Sequence, residues 1–200
     1  MTPPDDDLPV AGTVVLLRAA ERGVEVLLIR RPTRGSFADA WVFPGGTVES
    51  VDRRPGASES DDARRAGIRE TFEEVGLVVD DPVPLSRWHP PVQAPVRIPT
   101  WFFLAAAPDE AAVPSPGEVA EFAWVTPADA LARHGAGAWM MFPPTWMTLR
   151  QLAAFSDVGA ALAAGGAPSL FRTRVRDGPR YAWDQGELDA RSLPWRFTPA

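Results

Sequence analysis

Residues 69–77 read Arg69-Glu70-Thr71-Phe72-Glu73-Glu74-Val75-Gly76-Leu77. Ile68, Phe72 and Val75 recur at i, i+4 and i+7, which predicts a helix over 61–75 with one apolar face. Ser60 or Asp61 is the expected N-cap and Gly76 the C-terminal stop. At roughly 100° per residue, Glu70, Glu73 and Glu74 share the other side. Glu70 meets Glu73 at i+3 and Glu74 at i+4, and each like-charge pair costs about 0.2–0.5 kcal/mol. All three sit near the helix C-terminus, where the macrodipole disfavours negative charge. The cluster therefore opposes local stability unless a cation neutralises it. Magnesium or manganese, hard ions that take carboxylate oxygens, suit it best. The plain alternative is a solvated acidic face. Against it, the same side carries Ala63, Ala66 and Gly67, small residues that leave room for something to approach closely. Gly67 alone costs the helix about 1 kcal/mol relative to alanine.

Upstream, 10–18 and 24–30 are rich in Val and Leu, and residues 21–23 between them supply a turn. They read as a strand hairpin. Residues 41–43 form a short apolar strand that runs into Pro44-Gly45-Gly46, and 47–60 is a polar loop. Downstream, 77–88, 99–107 and 119–125 read as strands. Thr126 caps a short helix over 127–133 with Pro at its first position. A further helix is expected over 145–155. Mixed strands and helices with hairpin signals predict an α/β sandwich with a mixed sheet rather than a doubly wound parallel one. Gly45-Gly46 is not followed by the Gly-x-x-Gly turn that a dinucleotide fold needs.

Composition removes whole classes of chemistry. The chain has 200 residues, no cysteine and 20 basic residues, all arginine. Disulfides, thiolate metal sites and cysteine nucleophiles are excluded. So are a phosphate-gripping P-loop lysine and a Schiff base. Only two histidines occur, far apart at His89 and His134, so a His-rich metal site is not expected. A net charge of −6 argues against non-specific nucleic-acid binding. No apolar run reaches the roughly 20 residues that span a bilayer. The acidic, Pro-rich residues 1–9 read as a flexible tail, not a secretory n-region. A cytoplasmic location is the expectation.

The segment also resembles the Nudix hydrolase family. Its box can be written Gly-x5-Glu-x7-Arg-Glu-U-x-Glu-Glu-x-Gly-U, with U a bulky aliphatic. Residues 69–77 match its second half except at Thr71, and Phe43-Pro44-Gly45-Gly46 is similar to its strand and glycine turn. The resemblance implies a Nudix-type α/β/α sandwich over 10–140, with 141–200 as a C-terminal helical extension packed on it. It implies a metal-dependent diphosphohydrolase using Mg2+ or Mn2+ on a small nucleotide substrate, and a homodimer, since members are often dimers. Glu70, Glu73 and Glu74 become expected metal ligands, with Glu70 also a candidate base and the Gly45 carbonyl a backbone ligand. Gly46 is expected to approach substrate. A further acid often comes from a distant loop, and Glu118 suits that role, with Glu121 in reserve. Counting back from Arg69 puts the first acid of the box at Asp61, expected to orient Arg69, and places an insertion within 51–60.

A finer likeness concerns substrate. Residues 40–46, the acidic loop with Asp52, the 97–105 segment and Pro143-Pro144-Thr145 resemble the coenzyme A and acyl-CoA diphosphatase branch. That branch implies release of 3′,5′-ADP and a phosphopantetheine. ADP-ribose, dinucleotides and sugar nucleotides are the alternatives. A Nudix-fold binding or regulatory module without catalysis is the competing class. Arg97 is a candidate for substrate phosphate, with a surface salt bridge as its ordinary reading. Trp139, Phe142 and Trp146 are expected to line a lid.

Overall fold

The unbroken apolar run Val14-Val15-Leu16-Leu17 is fully buried, which means that its strand is covered on both faces. In the computed structural model, which describes residues 8–21, 23–35 and 37–200, that strand is the spine of the molecule. The expected tail falls largely outside these residues, because 1–7 are not described.

Strand β1 (Ala11–Ala19) pairs antiparallel with β2 (Val24–Arg30) and parallel with β6 (Thr100–Ala106). β3 (Trp41–Val42) extends the sheet beyond β2, and β4 (Gly45–Thr47) pairs with β1. β5 (Val83–His89) lies antiparallel to β6, and β7 (Glu121–Val125) antiparallel to β2. The result is the mixed-sheet α/β fold that the strand pattern predicts. β5 starts later than expected. Asp80, Asp81 and Pro82 interrupt it, with Asp81 at a φ of 35° and no amide proton on Pro82.

Helix α1 (Glu59–Val75) covers one face of the sheet. Val14, Leu16, Leu27 and Ile29 point into that layer with Val75 and Leu77. The alternate residues Val15, Leu17, Val26 and Leu28 point into the other layer. Residues of α2 (Pro127–Gly135), α3 (Pro143–Leu152) and α4 (Val158–Ala163) pack in that second layer.

The C-terminal region is helical only in part. After α3 and α4, β8 (Ser169–Arg172) joins the main sheet parallel to β5. β9 (Arg174–Val175), β10 (Arg180–Trp183), β11 (Gly186–Asp189) and β12 (Arg196–Pro199) form a second, antiparallel sheet. Strands this short carry too few alternations to stand out in a sequence. Trp139 and Trp146 do not line a lid. Both are buried, and Trp139 stacks on Trp41 at 3.8 Å between ring centres.

Among the described residues, no helix is long and apolar enough to cross a membrane.

Candidate active site

The site begins with the way α1 sits on β1. Its N-cap is Ser58, two residues before the earlier expected position. The Ser58 hydroxyl accepts from the Asp61 amide at 3.2 Å, and the Asp61 carboxylate accepts from the Ser58 amide at 3.4 Å. The helix ends at Gly76, left-handed at a φ of 69°, as its sequence predicts.

Of the expected apolar face of α1, Val75 is buried and Ile68 packs partly buried against the core, but Phe72 lies outside. Phe72 is 56% exposed. The sheet is met by Ala63, Ala66, Gly67, Thr71 and Val75. The small residues make room for backbone rather than for ligand. A Cβ placed on Gly12 of β1 would lie 1.7 Å from the Ala63 carbonyl oxygen. Thr71 tolerates burial because its hydroxyl donates to the Gly67 carbonyl at 2.7 Å.

This rotation carries Glu74, 1% exposed, and the half-buried Glu70 to the inner side, against the Gly45-Gly46 strand. The Gly45 amide donates to Glu74 Oε2 at 2.9 Å, which sets the Gly45 backbone against the cluster. A Cβ on Gly46 would come within 2.3 Å of the Glu70 carboxylate, so only glycine permits this approach. Glu73 points more to solvent.

Arginines hold these acids. Arg31, at the end of β2, donates to Glu74 Oε1. One amine of Arg69 bridges Glu70 at 3.0 Å and Glu73 at 2.8 Å. The other amine and Nε of Arg69 grip Asp52 in a fork at 3.0 and 3.1 Å. Asp61 therefore does not orient Arg69, as the counting from Arg69 suggested. It completes the capping box with Ser58, and the buried Asp52 takes the orienting position. Asp52 in turn accepts from the Glu49 amide at 2.9 Å. Asp52 is also the sixth residue after Gly46, the spacing the Nudix pattern gives from its glycine to its first acid. Counting forward from the glycine finds it, whereas counting back from Arg69 does not.

The electrostatics follow from this geometry. Burial raises the Glu74 carboxyl to about 7, against the Gly45 amide and Arg31, with Glu70 and Glu118 pushing the same way as burial. Burial also raises Glu70, opposed by Arg69 and reinforced by Glu73 and Glu49. For Asp52, burial raises the carboxyl, but the hydrogen bonds from Arg69 and the Glu49 amide outweigh it and the net shift is downward. Arg69 is held more firmly protonated, first by its bond to Asp52.

Glu118 lies in the exposed loop before β7, close enough to Glu74 for its charge to be felt there. The Ser115 amide of that loop donates to the Glu74 carbonyl at 2.8 Å, which ties the loop to the end of α1. Glu121 is engaged elsewhere, by Arg30 at 3.3 Å. Arg97 is not among the residues that line the neighbouring cleft. The cleft of about 340 Å³ that contains Gly45, Gly46 and Glu70 is lined by Arg31 instead. Nothing in the local pattern distinguishes Arg31 from its neighbour Arg30, so its role was not legible. Glu49 was missed for the same reason.

Among the described residues, no group of three or more acidic or histidine side chains is arranged to hold a metal ion. The carboxylates are turned onto Arg69 and Arg31. Their chemistry nevertheless fits a hard cation: oxygen donors only, with two carboxyls raised by burial and mutual repulsion.

The orienting role of Asp52 has a direct test. Asp52→Ala is expected to lower kcat by about tenfold to hundredfold, the usual cost of losing a group that aims a site residue. Asp52→Glu should recover most of that loss by restoring the fork to Arg69. Asp61→Ala should lower the melting temperature slightly through the lost half of the capping box, with activity retained. An Asp61→Ala loss of activity matching that of Asp52→Ala would contradict the assignment.

A NUDIX domain family model matches residues 8–143. No curated protein matches the chain in sequence. Solved structures share the fold at low identity. A NUDIX hydrolase from Alicyclobacillus acidocaldarius is 22% identical at a TM-score of 0.70, covering 78% of this chain and 96% of its own. The NUDIX domain of Shewanella oneidensis NrtR, solved with ADP ribose, is 18% identical at 0.56, covering 72% and 85%. A C. elegans Ap4A hydrolase in a binary complex is 21% identical at 0.53, covering 74% and 96%.

Proposed function

The chain belongs to the NUDIX domain family and is a Nudix diphosphohydrolase; on that premise we propose that it cleaves the diphosphate of CoA or an acyl-CoA, using divalent metal held by α1. The observation that carries the metal-assisted reading is the convergence of Glu70 and Glu74 on the Gly45-Gly46 backbone at the wall of the cleft. Four features support it: crowded acids, raised carboxyls, a backbone pressed to within contact and an arginine at the rim. A solvated structural helix would leave such acids in water.

Nudix hydrolases generally use divalent metals. Glu70, Glu73 and Glu74, with the Gly45 carbonyl and Glu118, would hold Mg2+ or Mn2+ here. The bound ion would neutralise diphosphate oxygens and make a water more acidic. The chain's own groups supply the rest. Water adds at one phosphorus, the bridging P–O bond breaks, and the departing phosphate keeps the bond's electron pair. The proton that the water loses goes to a carboxylate, and Glu70 faces the cleft for that purpose. Arg31 offers a planar fork to phosphate oxygens. Asp52 holds Arg69, and Arg69 holds Glu70 and Glu73 in place.

The choice of CoA rests on the likeness of residues 40–46, 97–105 and 143–145 to the CoA diphosphatase branch. An insertion in the box is part of that likeness. Sixteen residues separate Asp52 from Arg69, and we take the surplus over the family's seven as the inserted segment. We take 10–140 as the hydrolase domain and the remainder as its extension.

A panel of CoA, acetyl-CoA, ADP-ribose, NADH and diadenosine polyphosphates, with products identified by mass, tests the reading. ADP-ribose and Ap4A are included because the two solved relatives are described with them. The expected products from CoA are 3′,5′-ADP and phosphopantetheine. Faster cleavage of ADP-ribose or a dinucleotide would reassign the substrate and leave the chemistry intact.

A further inference from the structure

A second cavity, of about 530 Å³, adjoins the catalytic cleft. The two share a wall made by Phe37, Ile98, Thr100, Phe142 and Pro144. The rings of Phe37 and Phe142 meet edge to face at 5.0 Å on that wall. One side of the second cavity comes from the proline-rich segment after β5, including Pro91, Pro95 and Val96. The opposite side comes from the C-terminal sheet, through Val175 and Tyr181.

We propose that this cavity binds an aliphatic chain carried on the substrate's arm beyond the diphosphate, so that the C-terminal region selects acylated over unacylated substrate. The inference rests on the diphosphohydrolase reading for the position of the diphosphate. Three observations carry it. No arginine or carboxylate lines the cavity, whose one basic side chain is His89, so it offers no guanidinium fork to a second phosphate. Large apolar side chains stand in water at its edges: Val96 is 52% exposed, Phe37 48%, and Phe142 and Val175 37% each. Apolar side chains gathered at the mouth of a concavity mark a ligand surface. Finally, the cavity continues from the cleft, so one molecule can occupy both.

The remaining polar groups suit a thioester or amide arm better than a nucleobase. Thr100 lies on the shared wall, Thr173 and Tyr181 lie toward the C-terminal sheet, and His89 and Gln93 lie at the end of β5 and just after it, scattered among prolines and aliphatic side chains. A base would need donors and acceptors matched to its edge. A chain needs only wall. Each methylene that leaves water for such a wall tightens binding by about fourfold.

The test separates binding from turnover. Dissociation constants for CoA and octanoyl-CoA are measured by calorimetry on the full chain with chelator present, so that no hydrolysis occurs. Octanoyl-CoA is expected to bind at least tenfold more tightly. Val96→Asp and Val175→Asp place a charge on opposite walls, and each should reduce that ratio towards one. Thermal melting of both variants checks that they fold. Equal affinity of the wild type for both ligands would overturn the proposal. So would an octanoyl preference that survives both substitutions in folded protein. If the preference is found but no diphosphate is cleaved once Mg2+ or Mn2+ is added, the chain site stands and the hydrolase reading falls.

Discussion

Glu74→Gln is expected to lower kcat/KM for diphosphate hydrolysis by about a hundredfold to a thousandfold, without loss of stability. Glutamine keeps the shape and removes the charge. Removing one preorganised electrostatic group from a catalytic site typically costs this much. The stability side has its own logic. Glu74 is buried, and burial raises its carboxyl to about 7 against the help of the Gly45 amide and Arg31. A charged group in that position is disfavoured by the fold, so its neutral isostere should melt at the same temperature or higher. Loss of activity with retained melting temperature separates a functional acid from a structural one. Glu73→Gln should also lose activity, although Glu73 is far more exposed. Retained activity in both variants would remove α1 from the chemistry.

Gly12→Ala is expected to be the most destabilising small substitution in the chain. The added methyl would lie 1.7 Å from the Ala63 carbonyl oxygen, 2.6 Å from its carbon and 3.0 Å from the Gly67 amide. All three are backbone atoms, and no rotamer change relieves them. The helix would have to lift off β1. Overpacking costs about 1–3 kcal/mol even where side chains can give way. With backbone on both sides, we expect about 3 kcal/mol or more, a fall in melting temperature of roughly 6–12 °C for a chain of this size. Gly46→Ala makes a useful contrast. Its methyl would meet the Glu70 carboxylate, the movable end of a side chain. It should disturb activity more than stability. Thermal melts of the two variants side by side check both statements, and a Gly12→Ala melt within 2 °C of wild type would contradict the close packing.

The sequence was most legible where local chemistry is also the structural signal. Gly76 at a positive φ, Thr126 as a cap and the Val-Leu run of β1 each have a physical reason confined to a few residues. On α1 hydrophobicity is a poor sign of burial. Here the helix packs so close to β1 that alanine and glycine are the buried side, and Phe72 is left outside. Counting back from Arg69 misses its partner because Asp52 lies 17 positions away along the chain, and proximity in space does not follow that count. Arg31 and Glu49 reach the site by strand pairing and loop closure, which no local pattern encodes. Arg97 looked equally suited to bind phosphate, yet it lines neither of the two cavities. The C-terminal sheet was unreadable for a different reason: its strands have two to four residues each.

The helix at 59–75 thus unites two demands on one face. Small residues bring it against the sheet, and the same rotation carries Glu70 to the cleft and Glu74 onto the Gly45 amide. The most direct measurement of whether α1 is a metal-carrying catalytic helix is wild-type hydrolysis of CoA, acetyl-CoA and ADP-ribose with Mg2+ or Mn2+, repeated with chelator. The expected result is cleavage between the two phosphates of at least one substrate, falling by about a hundredfold or more when the metal is removed. Turnover that the chelator leaves unchanged, or no cleavage of any of the three with metal present, would contradict it.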